Sequence, residues 1–336
     1  MRAFFREISH ALTAGQDVEL VSILEAKGST PRGAGAMMAV FPDGHTTGTV
    51  GGGNVEFASA RMAGDLLDRR ENAVHRFRFV PGDGASLGMV CGGDVTVHFQ
   101  FLPAGDAHTL DVCEEIRAAS GRNADTWLVR QIDPDGHVTA MGLADRSGTN
   151  LLPEGTVLPA GLLENGGRTV ESWCASPVVR GGMLYIFGGG HVSQALVPAA
   201  AAVGFRPVVY DDRPEFASKQ LFPQAERVLC GSFDAIGDHI SITADDYVVV
   251  MTRGHQADYE VLTQVLRSGA RYLGCIGSRR KLTLCRERLE NAGFTDAEYA
   301  RLHAPIGLAI GAETPAEIAV SVTAELIAVR AGLDNR

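Results

Sequence analysis

Three consecutive glycines, residues 188–190, separate a run of apolar residues from a predicted helix. The apolar run spans residues 183–187, and His191 opens the helix. This order of elements is the one in which a G-x-G-x-x-G loop binds phosphate. Gly188 permits the tight turn, and Gly190 lets a phosphate approach the backbone at the helix N-terminus. Ser193 replaces the third glycine with another small residue.

The rest of the C-terminal half repeats this alternation of apolar runs and helical segments. Strands are predicted at residues 207–210, 247–251 and 272–276. Continuous apolar strands spaced by helices indicate a parallel sheet covered on both faces. The final helix is predicted by the capping sequence that begins at Thr314. Together these features predict a Rossmann-like domain over residues 179–336.

Polar side chains follow three of the predicted strands at their carboxyl ends. Asp211 lies about twenty residues after the glycine loop, where an acid can bind a ribose 2′-hydroxyl. Arg253 and His255 follow the next strand, and Ser278 and Arg279 follow the one after it. Ligands of open α/β sheets bind at this edge. We therefore assign these residues to cofactor binding, together with Gly188, Gly190 and His191.

Each of these assignments has a structural alternative. A Rossmann-shaped domain can lack a nucleotide altogether. Three cations, from Arg279 to Lys281, start a predicted helix, where they oppose the helix dipole. They favour a bound anion or an acidic partner, and the alternative is a solvated basic turn.

The first 103 residues predict a mixed α/β domain. Three glycine-rich loops, at residues 28–35, 48–53 and 82–93, each adjoin a predicted strand and could converge on one site. Within them, Gly52 and Gly53 allow close approach of a ligand, and Arg32 supplies a cation. Cys91 supplies a soft sulfur ligand.

Residues 104–178 are predicted as a linker or extension with a helix at 110–119 and short strands. Composition limits the function of the whole chain. A net charge of −10 argues against nucleic acid or an anionic membrane as the main partner. Apolar runs are too short to span a bilayer, and six scattered cysteines indicate reduced thiols in the cytoplasm.

Taken together, these motifs resemble the XdhC/CoxI family, the accessory factors of xanthine dehydrogenase, CO dehydrogenase and aldehyde oxidoreductase. The resemblance covers nearly the whole chain, with its motifs in the expected order. In the N-terminal half the matching segments are residues 27–32, 48–56 and 89–93. In the C-terminal half they are residues 186–192, 211–216, 252–255, 276–281, 305–308 and 310–315.

The resemblance implies a maturation factor and not a catalyst. Members bind the molybdenum cofactor, protect it while a cysteine desulfurase adds its terminal sulfur, and insert it into the apo-hydroxylase. The client is a hydroxylase of the xanthine dehydrogenase or aldehyde oxidoreductase type. Such hydroxylases in bacteria often use the cytosine dinucleotide form of molybdopterin, whose pyrophosphate and ribose suit a Rossmann pocket. We also expect a homodimer.

One position departs from the family pattern. Some members have a cysteine where this chain has Asn54, so any role of that thiol is not carried over. Cys91 does match a family motif, and we predict that it takes part in the chemistry.

Two other functions remain open from the sequence. The first is an NAD(P)-dependent oxidoreductase, for which only His191 or His255 is available as a proton donor beside the nicotinamide. The second is an adaptor that docks the desulfurase and the hydroxylase around a vestigial nucleotide site.

Overall fold

A computed structural model of the protein describes residues 1–28, 30, 32–79, 93–164 and 166–333. The chain divides into two compact units, Met1–Arg180 and Gly181–Arg336. In the described residues the first unit contains two antiparallel sheets, and the second contains one parallel sheet. The predicted fold class, a mixed α/β domain followed by a Rossmann-like domain, is confirmed.

The first unit has three helices and two sheets within the described ranges. The helices are α1 (Arg2–Thr13), α2 (Gly53–Arg69) and α3 (Ala107–Ala119). The first sheet has the order β3-β2-β1-β5-β4. Its strands are β1 (Val18–Gly28), β2 (Met37–Val40), β3 (Thr46–Gly48), β4 (Ala73–Phe79) and β5 (Gly93–Leu102).

The first sheet is buried on both faces at its central strand, β1. Val21 and Ile23 pack with residues of α2 on one face. Val18 and Leu20 pack with α1 and α3 on the other face. Because both faces are covered, β1 begins as an unbroken buried run and does not alternate between buried and exposed residues. The predicted hairpin is also confirmed, since β2 and β3 pair antiparallel across a short turn.

The segment predicted as a linker, residues 104–178, is folded. Besides α3 it forms a second sheet with the order β8-β7-β6-β10-β9. This sheet carries an apolar cluster that includes Trp127, Leu162 and Trp173. The Gly- and Pro-rich stretch therefore contributes Leu162 to a core and belongs to the first unit. The strands are β6 (Thr126–Ile132), β7 (Val138–Asp145), β8 (Gly148–Asn150), β9 (Arg168–Val170) and β10 (Trp173–Val179).

The second unit is a parallel sheet with the order β13-β12-β11-β14-β15-β16. The strands are β11 (Leu184–Phe187), β12 (Pro207–Asp211), β13 (Arg227–Cys230), β14 (Tyr247–Val250), β15 (Tyr272–Cys275) and β16 (Leu302–His303). The helices are α4 (His191–Ala202), α5 (His255–Val265), α6 (Arg279–Asn291), α7 (Asp296–Tyr299) and α8 (Pro315–Arg330). A short 3-10 helix spans Ile236–Asp238. The predicted capping box at Thr314 is present at the start of α8.

Candidate functional site

The strand order of the second unit creates a crevice at the carboxyl ends of β11 and β14. The chain builds outward from β11 through β12 to β13, then returns to form β14 on the other side of β11. Ligands of open α/β sheets bind where the strand order reverses in this way. The glycine loop, residues 188–190, follows β11, and residues 251–254 follow β14. Both predicted loops therefore lie at this edge.

The three glycines of the loop differ in what requires them. Gly188 has a φ of 108°, and a Cβ there would collide with the carbonyl oxygen of Met251. A Cβ on Gly189 would collide with the carbonyl oxygen of Phe216. Gly190 has an ordinary φ of −69°, and a Cβ there would meet nothing within 4 Å. The fold thus explains Gly188 and Gly189, whereas Gly190 keeps open space in front of α4.

The N-terminus of α4 is open towards that space. Gly190 is its N-cap, and no side chain in the described residues caps the helix. The first intrahelical bond is donated by the Gln194 amide to Gly190, so the amides of His191 to Ser193 precede the hydrogen-bonded ladder. The Ser193 hydroxyl donates to the Gly188 carbonyl, and the exposed His191 begins the helix. Unpaired amides and the helix dipole together favour an anion here.

Asp211 lies at the end of β12, as predicted, but its carboxylate is already occupied. It is 1% exposed and accepts from the amides of Gly189 and Arg213, at 2.7 and 3.0 Å. The Arg213 guanidinium donates to both oxygens, at 2.9 and 3.0 Å. Burial raises the pKa of Asp211, but the hydrogen bonds from Arg213 and Gly189 outweigh it, and the net pKa is lowered. The carboxylate therefore fixes the glycine loop to the end of β12.

The next residue, Asp212, has a different environment. Its side chain is 30% exposed. One oxygen, Oδ1, is buried without a hydrogen-bond partner among the described residues. The nearest cations are Arg213, with Nε 3.6 Å from Oδ1, and Arg253, with Nη2 3.8 Å from Oδ2. Arg253, predicted as a binding residue, is thus brought next to an acid that the sequence analysis did not single out.

A buried acid links the loops after β14 and β15. Asp258, 1% exposed, accepts from the amide and the hydroxyl of Thr252, at 3.0 and 2.6 Å. Its other oxygen forms an ion pair with Lys281. The predicted residue His255 is exposed at the first position of α5. Asp258 thereby holds both candidate loops in one arrangement.

The basic turn at the start of α6 divides into paired and unpaired cations. Lys281 has Asp258 as an internal partner. The side chains of Arg279 and Arg280 are exposed, and neither has a partner within the described parts of the chain. Ser278 is the N-cap, and its hydroxyl oxygen accepts from the Lys281 amide at 3.3 Å. Arg279 and Arg280 are therefore available to a ligand anion.

In the first unit, strand register places the ends of the three glycine-rich loops at one end of the first sheet. Gly28 lies opposite Gly93, and Gly93 lies opposite Phe79. Gly48 pairs with Met38, close to where the chain returns from the first loop. Residues 29, 31 and 80–92 lie outside the described residues, so Cys91 and most of the third loop are among those not described.

Gly52 and Gly53 form the turn that starts α2. Their φ angles are 71° and 58°, and a Cβ on either would meet nothing within 4 Å. Glu56 accepts from the Thr49 hydroxyl and from the Gly52 amide, the latter at 3.1 Å. The Thr49 hydrogen bond chiefly lowers the pKa of Glu56. This carboxylate holds the turn, while the predicted residue Arg32 is exposed in the first loop.

Two family descriptions match this architecture. The XdhC Rossmann domain matches residues 184–326, and the XdhC and CoxI family matches residues 11–78. The two matches together cover more than half of the chain. The chain belongs to the XdhC and CoxI family.

Three curated relatives resemble this family member over most of its length. The Escherichia coli K12 protein named molybdenum cofactor insertion chaperone PaoD is 27% identical over 98% of this chain and 88% of its own. A Bacillus subtilis protein, named for a probable role in xanthine dehydrogenase, is 25% identical over 98% of both chains. YqeB of Escherichia coli K12 is 27% identical over 93% of this chain. The chain spans only 43% of the length of YqeB.

A solved structure has the same fold. The crystal structure described as a xanthine dehydrogenase from Bacillus halodurans superposes with a TM-score of 0.79 at 26% identity. The match covers 98% of this chain and 97% of the other. In the part of this family member that the structure describes, no helix is long and apolar enough to cross a membrane.

Two functional candidates in this family member were missed by sequence reasoning. Asp212 adjoins Asp211, and the sequence pattern gives no reason to prefer either acid. Asp258 lies inside a predicted helix, six residues after Thr252, and no local motif connects the two. A further expectation is met: Cys275 is buried in β15, and burial raises the pKa of its thiol.

Proposed function

We propose that this protein binds a molybdenum cofactor, holds it for sulfuration by a cysteine desulfurase, and inserts it into an apo-hydroxylase. The proposed clients are hydroxylases of the xanthine dehydrogenase or aldehyde oxidoreductase type. The name of PaoD supports cofactor insertion, and the name of the Bacillus subtilis relative supports a xanthine dehydrogenase client. Sulfuration is proposed from the family resemblance alone.

The observation that carries a nucleotide site is the contrast among the three glycines. Gly188 and Gly189 are needed for packing against neighbouring backbone, whereas Gly190 is needed for neither packing nor backbone angle. A glycine that the fold does not require, in front of unpaired helix amides, leaves room for a phosphate group. This fits the pyrophosphate of the cytosine dinucleotide form of molybdopterin, which we propose as the ligand.

Several side chains at this edge suit the proposed ligand. The α4 amides would bind the pyrophosphate, and the exposed His191 adjoins them. Arg253 and Arg279 would supply positive charge, and the Ser278 hydroxyl can donate to a phosphate oxygen while it accepts from the helix amide. His255 stands at the start of α5 on the β14 side. When bound, the cofactor supplies the molybdenum centre and its terminal sulfur.

In the first unit, we keep Arg32, Gly52, Gly53 and Cys91 as proposed cofactor contacts. The open space at Gly52 and Gly53 supports the first part of this proposal. Participation of the Cys91 thiol stays a prediction from the sequence. A cytoplasmic location and a homodimer, both expected from the sequence, belong to the same proposal.

The decisive experiment substitutes Gly190 by Val and measures cofactor retention and client activation. A side chain there would occupy the proposed phosphate position, so both should fall to background. Stability should fall by about 1 kcal/mol at most, the scale of a lost N-cap preference. Mass spectrometry of ligands on protein from a molybdenum-replete host measures retention, and calorimetry measures stability.

Gly269→Val is the matched control. Gly269 lies just before β15, at the opposite edge of the sheet, and a Cβ there meets nothing closer than 3.9 Å. This variant should retain the cofactor. If Gly190→Val retains it equally well, the nucleotide site is not at this loop.

The strand order also favours a second candidate, an NAD(P)-dependent oxidoreductase, because dinucleotide enzymes share it. The exposed His255 at the crevice is then the proton donor. Tight binding of NAD(P) with hydride transfer to a small substrate, abolished in His255→Ala, would favour this function over cofactor insertion.

A further inference from the structure

Two consecutive acids end β12, and they differ in how many hydrogen bonds they already accept. Asp211 accepts four, from the amides of Gly189 and Arg213 and from two nitrogens of the Arg213 guanidinium. A carboxylate offers about four lone-pair positions, so that set is full. Because Asp211 is also 1% exposed, a ligand hydroxyl could bind it only by displacing one of these donors.

Asp212 has the acceptor capacity that Asp211 lacks. Its Oδ1 accepts no hydrogen bond from any described residue, although it is itself buried. The neighbouring cations are 3.6 and 3.8 Å away, beyond hydrogen-bond length. A buried carboxylate oxygen without a donor is costly, and a ligand hydroxyl would supply the missing donor.

The two arginines nearby do not turn this position into a phosphate site. The Arg213 guanidinium is held by Asp211 and lies 3.8 Å from the centre of the Phe216 ring. Arg253 is 63% exposed, and its charge is offset by Asp212 itself. A second phosphate on the ribose would face the negative charge of Asp212 at short range.

We propose that Asp212, and not Asp211, binds the 2′-hydroxyl of the ribose in the nucleotide that this site takes. The proposal rests on the nucleotide site proposed above. It makes Asp212 a specificity-determining residue, selecting nucleotides with a free ribose 2′-hydroxyl over 2′-deoxy and 2′-phosphorylated ones. Asp211 is then a positioning residue that acts through the Gly189 amide.

The test measures calorimetric affinity for CDP and for 2′-deoxy-CDP in the full-length protein and three variants. Wild type should bind CDP at least about tenfold more tightly, the scale of one hydrogen bond to a charged acceptor. Asp212→Ala should lose that preference, and Asp212→Asn should keep part of it. Asp211→Asn should weaken both ligands by the same factor and lower Tm, since the loop loses its tether.

The outcomes separate this inference from the proposed function. Wild-type binding of CDP without any preference for the 2′-hydroxyl overturns the role of Asp212 and leaves the nucleotide site standing. Loss of the preference in Asp211→Asn, with Asp212→Ala unchanged, assigns the ribose to Asp211 and also overturns it. If wild type binds neither nucleotide at millimolar concentration, the nucleotide site and the inference fall together.

Discussion

The two units bury their charged side chains in different places. In the second unit Asp211, Asp246 and Asp258 are at most 1% exposed, and each lies at or just beyond the end of a strand. In the first unit Glu19 and Arg130 are both 0% exposed and lie within strands β1 and β6. Each buried acid of the second unit accepts hydrogen bonds from backbone amides, whereas neither oxygen of Glu19 has a described partner.

The difference follows from the hydrogen-bond pattern of a sheet. At the end of a parallel strand the ladder stops, so nearby loop amides are free to donate to a carboxylate. Within a strand the backbone groups are already paired, and β1 is paired on both sides, with β2 and β5. A charge there depends on side chains alone. Arg130 has Ser22, Gln100 and His98 but no described carboxylate, and Glu19 has none of these.

The largest effect is expected at Asp258, where the buried charge is fully used. Asp258→Ala removes the acceptor for the Thr252 amide and hydroxyl and leaves Lys281 without its partner. Since Lys281 is partly exposed, its charge can turn to solvent, and we expect a loss of about 3 kcal/mol. Denaturant unfolding at neutral pH measures it. Cofactor retention should fall as well, because both candidate loops lose their common tether.

Asp296→Ala is the control for this change. Asp296 is an acid of the same unit whose side chain is 80% exposed and pairs with Arg286 at the surface. Exposed ion pairs contribute little, so stability should hardly change. Equal stability of Asp258→Ala and Asp296→Ala would show that acids at strand ends do not stabilise this sheet.

At Glu19 the expected effect has the opposite sign. Burial raises the pKa of Glu19 to about 9, from an ordinary value of 4.5. Between these pH values the unfolded chain is ionised and the folded protein holds the proton, so stability falls as pH rises. Glu19→Gln removes this proton uptake and should gain about 2 kcal/mol relative to wild type between neutral pH and pH 9. Below pH 4.5 the two proteins should run parallel.

Unfolding free energies of both proteins across this range measure the effect. The pH dependence, and not the absolute stability, is the readout, because the buried amide of Gln also lacks a partner. If the difference between wild type and Glu19→Gln is constant with pH, Glu19 does not carry its proton into the folded state.

The parallel half of the fold was predictable because its signals are local. Strands β11, β12, β14 and β15 are apolar runs at the predicted places, and Thr314 caps α8 as its sequence indicates. The second antiparallel sheet of the first unit was not predicted. Its core contact between Leu162 and the tryptophans at 127 and 173 joins residues far apart in sequence. No window of sequence contains that information.

The candidate site divides in the same way. The glycine loop, Asp211 and the two later loops lie at one sheet edge because strand ends of a parallel sheet do so by construction. What each residue does there depends on tertiary contacts. That Gly189 and Gly190 differ follows from the position of Phe216, and that Asp211 is saturated follows from the rotamer of Arg213. Neither can be read from residue type.

The smallest effect we expect is at His98, where a neutral ring is buried within β5 of the first unit. Burial, and then the charge of Arg130, lower the pKa of His98 to about 3 from an ordinary value of 6.5. Its Nε2 lies 2.9 Å from the Gly136 carbonyl oxygen, so the folded protein needs the neutral ring with its proton on Nε2. Between pH 6.5 and about pH 3 the unfolded chain is protonated at this ring and the folded protein is not. Stability from His98 is therefore lost as pH falls through that range.

His98→Gln keeps a donor for Gly136 and removes the titration. The variant should be less stable than wild type at neutral pH, and that deficit should shrink by about 1 kcal/mol by pH 4.5. Unfolding of both proteins at the two pH values gives the difference, and Arg130→Met should reduce it, because one of the two causes of the lowered pKa is removed. An unchanged deficit at both pH values would mean that the ring is solvated and that the first unit accommodates its strand-borne charges as readily as the second unit does at its strand ends.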